Sequence, residues 1–164
     1  MKKKIEDVIS LISRDLQTLK DDYFVIGSCA MILLGIPIDK TSDLDLFVSH
    51  EDAEHLKVVW ANRRRENYVP SDMHLFKSNF GRFDFGDLDV EVMGGLEVYR
   101  NNEWNALQIE KHMEVCPGNQ GIKIPTREEQ KRIFYFFGRQ KDLAKARLLE
   151  ACCDYTSTSF SAII

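Results

Sequence analysis

VIGSCAMILLGIPIDKTSDLDLFVS, residues 25–49, holds two apolar runs of opposite purpose. The first ends at Gly27-Ser28 and passes into a short apolar segment, 28–35, that reads as a helix closed by Gly35. The second, residues 43–48, carries carboxylates at 43 and 45 inside a stretch otherwise suited to a core. Side chains alternate along a strand, so Asp43 and Asp45 share one face while Leu44, Leu46 and Val48 share the other. Two carboxylates about 6–7 Å apart by strand rise repel each other unless a cation lies between them. Magnesium is the natural occupant, because it takes hard oxygen ligands from one or two carboxylates together with substrate phosphates. A solvent-facing pair at an exposed edge is the other reading, and the spacing alone leaves both open.

The stretch LDVEVM, 88–93, repeats the device. Leu88, Val90 and Val92 form one face, and Asp89 and Glu91 the other. If this strand lies beside 43–48, a third carboxylate joins the first two. Three converging acids add repulsion and desolvation that no structural role requires. They suit a divalent-metal site for phosphoryl or nucleotidyl transfer, the alternative being a two-stranded ribbon with both acids in solvent. Gly27-Ser28 supplies a phosphate side: glycine lets backbone approach a ligand closely, and free amides at a helix N-terminus favour an anion. Ser28 reads as an N-cap, a phosphate donor, or both.

The remaining pattern frames these motifs. Ile5, Val8, Ile9, Ile12, Leu16 and Leu19 recur at helical spacing. Residues 22–27 read as a buried strand, and Ser49 with Asp52 opens a helix running to about Asn67. FGRFDF, 80–85, and LDVEVM flank Gly86-Asp87, a two-residue hairpin turn. Residues 105–115 and 121–124 look extended. Thr126 and Glu129 stand at capping-box spacing before a helix broken by Gly138, and a last helix follows from 141. FYFFG, 134–138, reads as core packing rather than a base-stacking platform, and Trp60 and Trp104 read as core packing, with the lining of an acceptor cleft as the other reading. The tail, 157–164, reads as loosely held. The order of elements predicts an α+β sandwich, a mixed sheet flanked by helices with further helices at the C-terminus. The whole, 1–164, reads as one domain with its core over about 20–125 and a helical part over about 126–153.

Composition narrows the partners. A formal net charge of −4 argues against a large nucleic-acid footprint. Arg63, Arg64 and Arg65 read as a solvated helix C-terminus. The four cysteines, Cys29, Cys116, Cys152 and Cys153, lack zinc spacing and suit reduced thiols in a cytoplasmic protein. No apolar run is long enough to span a bilayer, and the N-terminal stretch is an amphipathic helix rather than a signal peptide.

Ile26-Gly27-Ser28, a helix, and Asp43-x-Asp45 on the next strand together resemble the nucleotidyltransferase superfamily known best from DNA polymerase β. FGRFDFGDLDVEVMGG is similar to the stretch that carries the third acid in small bacterial members, antibiotic-modifying or uncharacterised. Gly138 to Asp142 resembles an element of their C-terminal helices. The likeness covers most of 22–150. It implies a nucleotidyltransferase-like fold and transfer of a nucleoside monophosphate from an NTP, such as ATP, to an acceptor hydroxyl on a small molecule or protein. It further implies Mg2+, or Mn2+, held by Asp43, Asp45 and Glu91, with Asp89 as second choice. Glu91 serves as third ligand or base; Gly27 and Ser28 meet the phosphates; Lys141 and Arg139 neutralise the triphosphate. Lys40 and Thr41 are weaker candidates. Antitoxin-type members carry Ala-Arg-Gly after Gly-Ser, where this chain has Cys29-Ala30-Met31, which favours the longer-spacer branch. A homodimer completing the acceptor cleft, and a catalytically silent nucleotide- or partner-binding module such as a toxin–antitoxin component, are further expectations.

Overall fold

A computed structural model describes residues 1–157, the side chains of 153–157 excepted; the expectations for the tail beyond 157 and for the Cys153 thiol lie outside them. The chain runs α1 (Lys2–Leu16), β1 (Phe24–Ile26), α2 (Gly27–Leu33), β2 (Asp43–Val48), α3 (His50–Val59), β3 (Phe76–Asp84), β4 (Asp89–Arg100), β5 (Glu103–Ala106), β6 (His112–Val115), β7 (Ile122–Pro125), α4 (Arg127–Phe137) and α5 (Gln140–Ser157). The main sheet has the order β1-β2-β4-β3, with β5 on the far end of β4. Only β2 and β4 are parallel; the other pairs are antiparallel. Strands β6 and β7 form a separate ribbon. This is the mixed α+β architecture that the order of elements predicts. Among the described residues no helix is long and apolar enough to cross a membrane.

Alternation within the strands sorts the sheet into two faces. Leu44, Leu46, Val48, Val90, Val92 and Phe83 are buried against the apolar stripe of α1 (Ile5, Val8, Ile9, Ile12, Leu16) and against Ala53 and Leu56 of α3. A second cluster sets Phe24, Ile26, Met31, Leu96 and Val98 against Ile133, Phe134 and Phe137 of α4 and Ala146 and Leu149 of α5. Helix α4 begins as read, its Thr126 side chain accepting from Glu129 N–H. It ends at Gly138, whose left-handed φ of 74° is the usual terminator.

Several boundaries differ from the sequence reading. Helix α3 is capped by Ser49, which accepts from Asp52 N–H, but it stops at Val59 rather than near 67. Trp60 ends it: the buried indole lies edge-on to Phe83 and Phe85 and donates to Asp15 Oδ2 at 2.7 Å. A single 3-10 turn follows, and then Arg65 N–H donates to the Arg82 carbonyl at 2.8 Å. The arginine run therefore lies past the end of α3, with all three side chains exposed as read. Arg63 stacks on Phe85 at 4.7 Å, and Arg65 pairs with Asp84 and Asp89, lashing the chain to the β3–β4 hairpin.

The hairpin turn spans four residues, 85–88, because Phe85 and Leu88 bury their side chains while Asp84 Oδ1 accepts from Gly86 N–H. Strand β4 continues through Gly94-Gly95, where the reading stopped. The extended stretch expected over 105–115 is interrupted between β5 and β6, and Leu107 drops into the core there.

Gly94 has a packing reason. A β-carbon there would lie 2.4 Å from Ala53 Cβ and 3.0 Å from the Ser49 carbonyl, so its absence lets α3 lie against the sheet. Gly94→Ala is expected to destabilise by about 1–3 kcal/mol through overpacking, measured by chemical denaturation. A loss below about 0.5 kcal/mol would show that this helix–sheet contact yields freely.

Candidate active site

The acids meet because of strand register. Parallel pairing sets Asp43 opposite Asp89 and Asp45 opposite Glu91. Leu44 and Val90, one position out of phase, are completely buried on the other face. The carboxylates therefore gather on the open face, as the two alternating patterns imply when the strands are neighbours. Asp43 is steadied locally. Ser42 Oγ donates to its Oδ2 at 2.8 Å, while Thr41 Oγ1 and Cys29 Sγ donate to its carbonyl. Thr41 thus braces the strand, and Lys40 lies exposed outside the cleft.

Mutual repulsion is visible in the proton affinities. Burial first, then the charges of Asp43 and Glu91, push the Asp45 carboxyl up to about 7. Burial and Asp43 likewise raise Glu91, against the pull of Arg82. Burial and the same Asp pair push the Cys29 thiol up, which makes it inert.

Sequence reasoning did not single out Arg82. This β3 residue pairs opposite Glu91. Its Nε donates to Asp89 Oδ2 at 2.7 Å and its Nη1 to Glu91 Oε1, with Asp43 Oδ2 at 3.7 Å. The guanidinium is covered by the Tyr68 ring at 4.3 Å, and the Tyr68 hydroxyl also reaches Glu91. An arginine two strands from the D-x-D motif is invisible without the pairing, although its alternation with Phe83 places it on the polar face. Asp89, named as second choice for a metal, is taken up by Arg82 and Arg65.

The phosphate side differs in detail from expectation. Helix α2 begins at Gly27 itself, after Ile26, and has no side-chain cap. Ser28 is thus not an N-cap; it lies in the first turn and lines the cleft. The Gly27 amide is committed to Gln130 Oε1 of α4 at 3.1 Å rather than left free for a phosphate. What Gly27 supplies is room, since at φ +70° a β-carbon would fall 2.3 Å from Asp45 Oδ2.

Opposite it, α5 and the residue before it present Arg139, Lys141 and Lys145 to the same cleft. Arg139 is forked on Asp142 and bonded to Asp72 at 2.7 Å, with its plane over Phe76. Lys145 was missed: it lies one helical turn after Lys141 and faces Asp45. Burial, only partly offset by that carboxylate, lowers its pKa.

Asp43, Asp45, Glu91, Ser28, Arg139, Lys141 and Lys145 open on one cleft of about 460 Å³, within the range of small-molecule sites. The loop between Arg65 and β3 forms one wall through Tyr68, Ser71, Asp72 and Met73. Trp60 is core as read, whereas Trp104 is 39% exposed and lines the cleft.

Among the described residues no three His, Cys, Asp or Glu side chains stand as a preformed metal cage, since Arg82 already engages Glu91. The donor chemistry nevertheless fits a hard cation. Every candidate ligand is a carboxylate oxygen, Asp45 is raised by burial and by the neighbouring acids, a repulsion that a cation would relieve, and Gly27 leaves a gap beside it that any side chain would fill.

Compared by sequence, the chain matches no family model and no curated protein. Compared by structure, it is similar to a candidate nucleotidyltransferase from Thermotoga maritima, at 20% identity and a TM-score of 0.70 over 90% of this chain and 91% of that one. It is also similar to the lincomycin-bound lincosamide antibiotic adenylyltransferase LnuA, at 11% identity and TM-score 0.56 over 92% and 96% of the two chains. The antibiotic-resistance factor ANT(2'')-Ia is similar at 14% identity and TM-score 0.54 over 93% and 83%. At these identities the likeness is one of fold, and the fold is that of the nucleotidyltransferases.

Two outcomes test the electrostatics. A folded-state pKa raised from 3.8 to about 7 means that the Asp45 contribution favours the fold at low pH and is lost as pH rises through 7. Asp45→Asn is therefore expected to stabilise the metal-free protein at pH 8 by about 2 kcal/mol, roughly 4–8 °C in Tm, and to flatten the fall in Tm between pH 5 and 8. Arg82→Gln removes a positive charge from the acids and is expected to tighten Mn2+ binding about tenfold by calorimetry. An arginine that merely orients the ligands would give weaker binding instead.

Proposed function

We propose that the protein is a metal-dependent nucleotidyltransferase that moves a nucleoside monophosphate from an NTP to an acceptor hydroxyl and releases pyrophosphate. One observation carries the reading: the in-register pairing of β2 and β4 gathers Asp43, Asp45 and Glu91 on the floor of a cleft whose opposite side is cationic. A polyanion with an attached metal complements such a site, and few other ligands do.

In this reading Asp43 and Asp45, with Glu91, hold Mg2+ or Mn2+, which when bound neutralises charge on the triphosphate. Lys141 and Lys145 reach the phosphates from α5, and Ser28 Oγ donates to them from the head of α2. Arg139 keeps the cationic wall rigid, since its fork is fixed on Asp142 and Asp72. The acceptor oxygen attacks the α-phosphorus, the bond to the bridging oxygen breaks, and its electron pair leaves with pyrophosphate. The acceptor proton passes to the Glu91 carboxylate, which burial and Asp43 make a stronger base than an ordinary carboxylate. Most of the catalysis is positioning and charge neutralisation.

Arg82 favours a second reading, a nucleotide- or partner-binding module without turnover. Its guanidinium already neutralises Glu91, the group that catalysis needs free. Cytoplasmic location and a possible homodimer belong to the same proposal and rest on composition and cleft size alone.

Calorimetry with ATP, GTP, CTP and UTP analogues blocked at the α–β bridge, with and without Mg2+, tests the donor site. Magnesium-dependent binding to one or more of them is expected, falling at least about a hundredfold in Asp43→Ala/Asp45→Ala. Absence of binding by the folded wild type would refute the reading. Binding without pyrophosphate release, across a broad panel of hydroxyl compounds, would support the silent module.

A further inference from the structure

Strand order separates the two ends of the cleft. Ile26, Ser28 and Asp45 lie toward the β1–β2 edge, with Lys145 facing Asp45 and Lys141 lining the same cleft. Across Glu91 lies β3, and its lining is different in kind. Phe80 pairs beside Met93 on the open face, next along the strands from Arg82 and Glu91. The Tyr68 ring stands 5.9 Å from Phe80, tilted by 31°, and is 41% exposed. Met73, on the same loop, is 61% exposed. Aromatic faces left open beside a catalytic carboxylate form a stacking surface, because a flat partner recovers both apolar burial and ring contact.

Charge then limits what stacks there. Four carboxylates line the cleft: Asp43, Asp45, Glu91 and Asp72. Asp72 is bonded to Arg139, which holds it below the usual carboxylate range. Glu91 is held by Arg82 and the Tyr68 hydroxyl. The Asp pair is reserved for the cation. No lining carboxylate is therefore left for an ammonium group, and Lys77 and Arg139, themselves paired with Glu97 and with Asp72 and Asp142, add no free negative charge that would draw one in.

We infer that the acceptor is a small, uncharged hydroxyl compound with an aromatic or similarly flat apolar face, seated on Tyr68, Phe80 and Met93 with its hydroxyl at Glu91. Polycationic amino alcohols are excluded. The inference rests on the nucleotidyl-transfer reading and names the substrate class of that site. The cleft volume, shared with the donor, also excludes a macromolecular acceptor drawn deep into it. Phe76, Phe137 and Trp104, on the Arg139 side, are left for the donor's base.

Two hydroxyl-rich probes, one neutral and one dicationic, test this. Phenyl β-D-glucopyranoside is a neutral polyol with a flat ring; 2-deoxystreptamine is a polyol with two ammonium groups. Each is titrated by saturation-transfer NMR against wild type, Tyr68→Ala and Phe80→Leu, in the presence of Mg2+ and the blocked NTP analogue that binds best. The neutral probe is expected to bind at least about tenfold more tightly than the diamine. Both substitutions are expected to weaken it at least about fivefold, and Phe80→Leu, which keeps the strand apolar and folded and touches none of the acids, is expected to leave analogue affinity unchanged. Equal or tighter binding of the diamine would overturn the inference. So would indifference to both substitutions, no binding of the neutral probe while the analogue binds, or loss of analogue affinity in Phe80→Leu, which would assign this ring to the base. Failure of every analogue to bind wild type would instead overturn the nucleotidyl-transfer reading, and the inference with it.

Discussion

Everything at the cleft depends on the parallel register of β2 against β4. A slip of β2 by one residue would turn Asp43 and Asp45 into the core and expel Leu44 and Leu46, and the same slip of β4 would bury Glu91 and expel Val90 and Val92. The apolar face decides the matter by magnitude. Those four side chains with Val48, all essentially inaccessible, contribute about 7–15 kcal/mol by burial. Holding the Asp45 carboxyl against a rise from 3.8 to about 7 costs only about 4 kcal/mol. The hydrophobic face therefore sets the register and drags the carboxylates together against their repulsion. The protein stores an unfavourable charge arrangement because its other face outweighs it.

Two arginines then organise what lies above the acids. Arg82 and Arg139 each fork onto carboxylates and each lie against an aromatic ring, Tyr68 and Phe76 respectively. The loop between Arg65 and Phe76 is fastened at one end through Tyr68 on Arg82 and at the other through Asp72 on Arg139. Lysine would serve neither position, because a point charge lacks both the fork and the flat face. Both arginines keep their charge in spite of burial, since their paired acids favour the ionised form more than desolvation opposes it. The wall of the cleft and its electrostatics are thus one network.

What the sequence disclosed followed from period and spacing. Alternation at 43–48 and 88–93 put four acids on the correct face, and Thr126 with Glu129 marked the start of α4 correctly. What it concealed depends on distant partners. Helix α3 ends early because Trp60 turns inward to Asp15 and two phenylalanines, a contact reaching 45 positions along the chain. Gly27 looked like a phosphate-binding amide until Gln130, 103 residues away, claimed it. Gly94-Gly95 looked like an end to the strand, yet the reason for glycine is the close approach of Ala53. Trp104 had no local signal of exposure, because β5 is a short edge strand whose surroundings come from β4 and the Lys77 stem. Lys145 needed only the helical repeat from Lys141, and that signal was present in the sequence.

The strand order carries the division of labour further than any one residue. Were β3 to pair with β2 instead of β4, its aromatics would sit beside Asp43 and Asp45, and the rings would crowd the two acids. With β4 interposed, Glu91 stands between an acid–cation half built by β1, β2 and α5 and an aromatic half built by β3 and its preceding loop. A group that takes a proton from one reactant while the other is held by charge belongs at such a boundary. Arg82 sits there too, bonded to Glu91 and Asp89 and stacked under Tyr68, so any change in the charge of the acidic half is felt directly by the aromatic half. The two ends of the cleft are chemically unlike, and they share a single side chain at their seam.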